Sequence, residues 1–285
     1  MSLAPVGPSA PTSAAMTVLA ALLEARTGQQ IASYRAWRLE TALKPLLRER
    51  GLQTLDQLVA RLLEGQDARI GGQIVDALVN GESSFFRDGP VFDAIDRMLA
   101  DEDATDRRLR IWSAGCAAGQ EPLSLAMTIA ERVERTGMAM PEIIATDVSD
   151  ASLARARNGV FSQFEIQRGL PVRRMMRWFD GEGDSWQARP ELMKLLQFRR
   201  VNLVADRPPA GRFDLVMCRN VLLYFSPQVK AEVFGTLAAA VRPGGHLVLG
   251  AGETVIGQTG LFQPSTRYRG LYVRTALAAS QRAAA

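Results

Sequence analysis

Apolar positions in the first third of the chain recur at the three-to-four-residue spacing of a helix face. Val18, Leu19, Leu22 and Leu23 share one such face, and Leu39, Leu43, Leu46 and Leu47 share another. The same spacing predicts helices over 55–63 and 70–78, with Gly51 and Gly65 marking ends, since glycine takes the left-handed conformation that stops a helix. No segment up to Met98 alternates as a half-buried strand does. Residues 16–98 therefore read as a helical domain, preceded by a flexible leader over 1–15.

After a charged connector at 101–108 the texture changes. Short apolar runs at 109–114, 142–147, 213–218, 246–250 and 270–274 alternate with helical patterns near 121–135, 150–156 and 228–241. Strands apolar on both faces, separated by helices, predict a sheet covered on both sides. A doubly wound α/β domain over 99–275 follows, with its ligand crevice at the C-terminal ends of the strands. The stretch 158–212 breaks this rhythm and holds ten Arg or Lys against six Asp or Glu, Arg173, Arg174 and Arg177 among them. An excursion of that length predicts an inserted subdomain or lid, placed at about 158–200. The segment VRPGGHLVLG at 241–250 reads as a helix end, a Pro-Gly-Gly turn and a strand, and the alanine-rich end over 276–285 as a disordered tail.

Composition narrows the chemistry. With 285 residues, 47% of them hydrophobic, the chain can bury full cores as one large domain or two smaller ones. No apolar run approaches the roughly 18 residues of a membrane-spanning helix, and the N-terminus lacks the basic-then-apolar order of a signal peptide. Cys116 and Cys218, each at a strand or strand end, suit a reducing cytoplasm and are expected to be buried and inert. His246 is the single histidine and falls in a predicted strand, so a histidine metal centre or triad has almost nothing to be built from. It reads as structural. A net charge of +4 admits an acidic partner without calling for nucleic acid.

Three stretches could carry chemistry. IWSAGCAAGQEP at 111–122 describes a strand, a loop of small residues that lets backbone pass close to something bulky, and a helix entrance with proline near the first turn. Asp147 ends the run EIIATD, 28 positions after Gly119, where an acidic side chain reaches the two hydroxyls of a ribose bound over a glycine loop. Ordinary turn glycines and a helix-capping aspartate are the alternative. Neither G-x-G-x-x-G nor G-K-[ST] occurs, which disfavours a pyrophosphate cofactor or a nucleoside triphosphate. Glu121 at the crevice mouth suits a ligand bearing an ammonium group, or else simply complements a helix N-terminus.

In NGESSFFRD at 80–88, Phe85 and Phe86 either close over the crevice or pack across the domain seam, and Arg87 beside them is a natural carboxylate clamp. In MCRNVLLYF at 217–225, Arg219 and Asn220 fall at a strand end where sites are built. Tyr224 faces the same crevice if a helical turn follows Asn220, or is a core residue with a satisfied hydroxyl.

Taken in order, SSFFRD, WSAGCAAGQEPLSLA, ATDVSDASLARAR, FRRVNL, FDLVMCRNVLLYF and VRPGGHLVLG resemble the signature of bacterial chemotaxis receptor methyltransferases, the CheR family, over about residues 17–275. The resemblance implies a class I S-adenosylmethionine-dependent methyltransferase domain of Rossmann-like α/β fold, with an inserted small β-subdomain and an all-helical N-terminal domain before it. It further implies a cytoplasmic protein-glutamate O-methyltransferase. Such an enzyme esterifies glutamate side chains on the cytoplasmic helical bundle of membrane chemoreceptors and leaves S-adenosylhomocysteine, with no nucleic acid, membrane insertion or metal involved.

Carried over position by position, the resemblance implies that Asp147 holds the ribose and Glu121 the methionine ammonium. Ala114 and Gly115 line the cofactor, Asn202 and Leu203 lie by the adenosine, and Asn220 and Val221 add cofactor contacts. Ser83, in place of the family's usual threonine, and Arg87 reach cofactor and substrate from the domain junction; Arg87 and Tyr224, beside the methyl group, are the catalytic pair.

Departures carry their own expectations. The segment RLETALKPLLRERG offers Arg38, Lys44, Arg48 and Arg50 to a receptor, but has alanine, proline and leucine where further arginines are common; Arg173, Arg174 and Arg177 are a second source of positive charge. The short RWFDGEGDSWQARPELMKLLQF implies independence from the pentapeptide at receptor C-termini, and AGE at 251–253 stands where His-Ser-Glu is more common. Two other readings stand beside this one: a methyltransferase acting on a different substrate, and a non-catalytic S-adenosylmethionine-binding regulatory module.

Overall fold

The computed structural model describes residues 13–31, 37–102 and 107–276. Of the leader expected over 1–15 and the tail expected over 276–285, residues 1–12 and 277–285 lie outside the described residues, while Ser13 already opens a helix. The chain divides into two units between Asn80 and Gly81, not near 98.

The first unit holds four helices: α1 (Ser13–Thr27), α2 (Trp37–Glu49), α3 (Leu55–Glu64) and α4 (Ile70–Leu78). The stripes read from the sequence are its core. Leu19, Leu23, Leu39, Leu43, Leu58 and Ile74 are all buried together. Helix α3 begins where its sequence says it should: Thr54 Oγ1 accepts the Gln57 N–H at 3.2 Å, and Gln57 Oε1 accepts the Thr54 N–H, a reciprocal capping box. Gly65 closes the helix at φ 67°. Thr54→Ala is expected to lower the stability of this unit by about 1 kcal/mol in urea unfolding; an unchanged midpoint would show that the cap contributes nothing.

In the second unit, α5 (Pro90–Glu102) precedes the sheet and buries Phe92, Ile95, Met98 and Leu99 against Leu123 and Ile129. Its sequence is amphipathic whichever core receives it, which is why the boundary could not be placed from texture alone. The main sheet has the order β6-β2-β1-β7-β8-β10-β9. Strands β1 (Arg110–Ala114), β2 (Glu142–Asp147), β6 (Leu196–Arg200), β7 (Phe213–Cys218) and β8 (Val241–Leu249) run parallel, while β9 (Phe262–Pro264) and β10 (Leu271–Arg274) complete an antiparallel edge. Helices α6 (Gln120–Thr136), α7 (Asp150–Asn158) and α11 (Pro227–Ala240) connect the strands.

Alternation along β1 explains why its sequence is apolar throughout. Ile111 enters one core with Ile143, Leu215 and Met217, whereas Trp112 enters the other with Ile144, Phe213 and Val216. Each such burial is worth roughly 1.5–3 kcal/mol, and the Trp112 indole N–H is satisfied by Thr146 Oγ1 at 2.9 Å. Strand β1 lies between β2 and β7, the point where connections diverge and a doubly wound sheet opens a crevice at its C-terminal edge.

The N-terminal edge is closed by charge. Asp214, buried near the start of β7, accepts from Arg107, from the Arg110 N–H at 2.8 Å and from Arg242. Burial raises its pKa, but these bonds outweigh burial and hold the carboxyl below its ordinary range.

The expected Pro-Gly-Gly turn is instead an irregularity within β8. Val241 pairs with Phe213 and His246 with Leu215, so 242–245 bulge between them. His246 is buried edge-on to Tyr268 at 5.3 Å, and burial lowers its pKa, which suits a structural residue. Burial pushes both cysteine thiols well above their usual range.

The insertion is a three-stranded antiparallel sheet of β3 (Val160–Ser162), β5 (Ser185–Ala188) and β4 (Phe179–Glu182), with short helices α8 (Gln163–Gln167), α9 (Val172–Trp178) and α10 (Pro190–Met193). Because β6 pairs with β2 in the main sheet, the insertion ends before Leu196 and not at 200. Phe85 is fully buried in it, edge-on to Phe161 at 5.0 Å and Phe179 at 5.6 Å. Neither a crevice lid nor a domain seam accounts for that ring. The proposed second basic patch is also largely consumed: Arg174 grips both Glu131 oxygens and stacks on Phe86, and Arg177 pairs with Glu134, fastening α9 to α6.

Candidate active site

The loop after β1 is built on backbone bonds to β2. The N–H groups of Gly115 and Cys116 both donate to Thr146 O, at 2.8 and 2.9 Å. Gly115 has φ 80°, and a Cβ there would come within 2.4 Å of Val221 Cγ2; at Gly119, φ 98°, it would meet Ala156 at 3.1 Å. These glycines therefore let Val221 and α7 approach the loop closely. That brings Val221 against Gly115, directly after Ala114 at the end of β1.

Asp147, the last residue of β2, is buried and aimed into the same loop. Its Oδ2 accepts the Ala117 N–H at 2.8 Å and its Oδ1 accepts the Ser149 N–H at 2.9 Å. These two donors fix the orientation of the carboxylate. The carbonyl of Asp147 accepts the Val201 N–H at 3.0 Å, which places the turn of Asn202 and Leu203 beside it. Asn202 Oδ1 shapes that turn by accepting the Val204 N–H at 3.0 Å, and Leu203 is buried in the core beneath.

Glu121, at the start of α6, is buried and accepts from Ser113 Oγ at 2.9 Å and from Arg219 at 3.2 Å. Burial raises its pKa; Arg219 and Ser113 pull it back only in part, so it stays above the ordinary carboxylate value. Arg219 is itself 2% exposed and also donates to Arg87 O at 2.9 Å and Asp88 Oδ2 at 2.5 Å. It ties the loop carrying Arg87 to the end of β7. The sequence places Arg219 at a strand end but gives it no role, because nothing local announces that its partners lie on α6 and on the loop before α5. Phe86 N–H, donating to Ser124 Oγ at 3.0 Å, fixes the same loop to α6.

Ser83 and Arg87 are half-buried in that loop, and Tyr224, also half-buried, ends the 3-10 turn Leu222–Tyr224 that follows Asn220 and Val221. Among the described residues the non-glycine residues with positive φ are Phe86, Asp88, Ala117 and Asn220. All four sit in these loops, where backbone strain of about 1–3 kcal/mol each is held by the surrounding bonds.

The four cations proposed for a receptor lie in the first unit. Arg38 donates to Asn80 at 3.2 Å, and Arg50 bonds Asp67 at 2.7 Å and also Gln73, so both serve the fold of that unit. Lys44 and Arg48 are exposed.

The donor set fits S-adenosylmethionine, which carries a ribose diol, an ammonium and a sulfonium but no phosphate. Asp147 suits the diol and Glu121 the ammonium, and Gln120 Oε1 is a buried acceptor with no partner at the start of α6. Among the described residues no cluster suited to a metal ion occurs, and no helix is long and apolar enough to cross a membrane.

Comparisons with known proteins agree with this geometry. The family described as "CheR methyltransferase, SAM binding domain" matches residues 81–270. The chain is 35% identical to the chemotaxis protein methyltransferase of Vibrio parahaemolyticus, over 85% of this chain and 89% of that one. It is 35% identical to chemotaxis protein methyltransferase 1 of Pseudomonas aeruginosa, over 82% and 87%. Magnesium protoporphyrin IX methyltransferase from Synechocystis superposes with a TM-score of 0.32 at 16% identity, covering 67% of this chain and 64% of that one, a likeness too slight to carry weight. With a crevice suited to a phosphate-free nucleoside cofactor and a family match across the second unit, the chain belongs to the CheR methyltransferase family and is an S-adenosylmethionine-dependent methyltransferase of chemotaxis.

Proposed function

We propose that this enzyme esterifies glutamate side chains on the cytoplasmic helical bundle of chemoreceptors, working in the cytoplasm and without a receptor pentapeptide. The observation that carries the reading is the pairing of the pinned carboxylate of Asp147 with buried Glu121 at one strand edge. S-adenosylmethionine, when bound there, supplies a methyl group on a sulfonium. A glutamate acceptor has a pKa of about 4.3 and is already a nucleophile at neutral pH, so no general base is needed. This suits a site in which the one histidine is buried elsewhere in β8.

In this reading Asp147 and Glu121 orient the two ends of the cofactor. Arg87 and Tyr224 aim the acceptor oxygen, an alignment effect worth up to about 7–11 kcal/mol in favourable cases. They hold it lightly, since its charge disappears as the ester forms and tight ground-state binding would not speed the step. Exposed Lys44 and Arg48 are the cations of α2 available to an acidic receptor surface. The test is transfer of labelled methyl to membranes carrying receptors with and without their C-terminal tails. Base-labile label that survives tail removal is the expected result; transfer only to intact receptors, or none alongside confirmed cofactor binding, would overturn it.

A further inference from the structure

The carboxylate of Glu253, the last residue of AGE at 251–253, gathers three backbone N–H groups. Oε2 accepts from Asn220 at 2.8 Å and from Gly250 at 2.7 Å, and Oε1 accepts from Leu223 at 3.2 Å. Asn220 is held at φ 59°, a left-handed conformation that a non-glycine residue keeps only when its surroundings over-determine it. Gly250 makes room for it: a Cβ there would stand 2.6 Å from Asn220 Nδ2 and 2.8 Å from its Cγ. A pocket of about 100 Å³ that opens to solvent, bordered by Leu222, Leu223, Lys230, Phe234, Glu253 and Gln258, adjoins the turn. Charge-assisted bonds hold the turn beside it.

We propose that Glu253 is a positioning residue that holds Asn220 against the cofactor and, through the Leu223 N–H, sets the turn presenting Tyr224. This rests on the reading that Asn220 and Tyr224 serve cofactor and acceptor. A carboxylate suits the role because both of its oxygens accept, whereas an amide offers one acceptor and turns an NH₂ toward the remaining donor.

The experiment uses the full chain with Glu253→Gln and, separately, Gly250→Ala, which displaces Asn220 while leaving the carboxylate in place. Binding of S-adenosylhomocysteine by calorimetry, hydrogen exchange of the Asn220 and Leu223 amides without cofactor, and thermal unfolding are measured for each. We expect both variants to unfold close to the parent temperature and to bind S-adenosylhomocysteine about tenfold or more weakly, the loss of roughly one bond to a charged group. Glu253→Gln should also exchange those amides faster and lower kcat beyond its effect on KM. Folded variants with parental affinity and exchange would overturn the proposal. Failure of the parent itself to bind S-adenosylhomocysteine would overturn the cofactor reading on which it rests.

Discussion

Asp147→Ala is expected to weaken S-adenosylhomocysteine binding by about 100-fold or more while the sheet stays folded. The side chain does two things that alanine cannot. It accepts the Ala117 and Ser149 N–H groups and so fixes the loop after β1, and in the proposed reading it also accepts from the ribose hydroxyls. Hydrogen bonds to a charged group are worth about 1.5–3 kcal/mol each, so losing two toward the ribose already accounts for that factor. Asp147→Asn separates the parts: one amide oxygen can satisfy one loop N–H, and the other donor then faces an NH₂. Its affinity should fall between parent and alanine. Calorimetry with all three proteins decides the matter, and an alanine variant within about threefold of the parent, a difference of under 1 kcal/mol, would remove Asp147 from the cofactor site.

Arg219→Met should produce the largest change in stability, and one that depends on pH. The substitution leaves Glu121 buried without its cation and frees Asp88 and the Arg87 carbonyl. Removing one partner of a buried pair costs about 3–5 kcal/mol because an uncompensated charge remains. The Glu121 pKa is already raised by burial, against the pull of Arg219; without that pull it rises further. An acid whose folded pKa exceeds its unfolded value loses stability as pH rises through the folded pKa and recovers it below the unfolded one. The deficit of the variant should therefore be large at pH 8 and shrink towards pH 4, the opposite of ordinary acid denaturation. Urea unfolding at the two values tests this, and a deficit independent of pH would show that Arg219 acts through packing alone. Methyl transfer should fall as well, since the loop bearing Arg87 loses its tie to β7.

Much of this architecture was legible along the chain because its signals are local. Leu19, Leu23, Leu39 and Leu43 repeat at helical spacing and meet in one core. The runs at 110–114, 142–147 and 213–218 are apolar on both faces and form buried parallel strands. Strand β9 and the three strands of the insertion were not distinguished, being short and mixed in polarity, with neighbours in the sheet that only folding supplies. The site showed the same division. Glycines after a strand and an acidic residue at the end of the next announce a crevice, but Arg219 and Glu253 bond partners 98 and 33 residues away in sequence.

By itself the sequence determined the helical spacing of the first unit, the alternating strands and helices of the second, and the order of motifs that marks the family. Tertiary structure alone decided that α5 belongs with the sheet, that Phe85 fills the insertion, and that Arg38, Arg50, Arg174 and Arg177 are engaged within their own units. The reason is physical. Periodicity follows from backbone geometry within a few residues, whereas the partner of a charge or a ring depends on which distant surfaces the fold brings into contact.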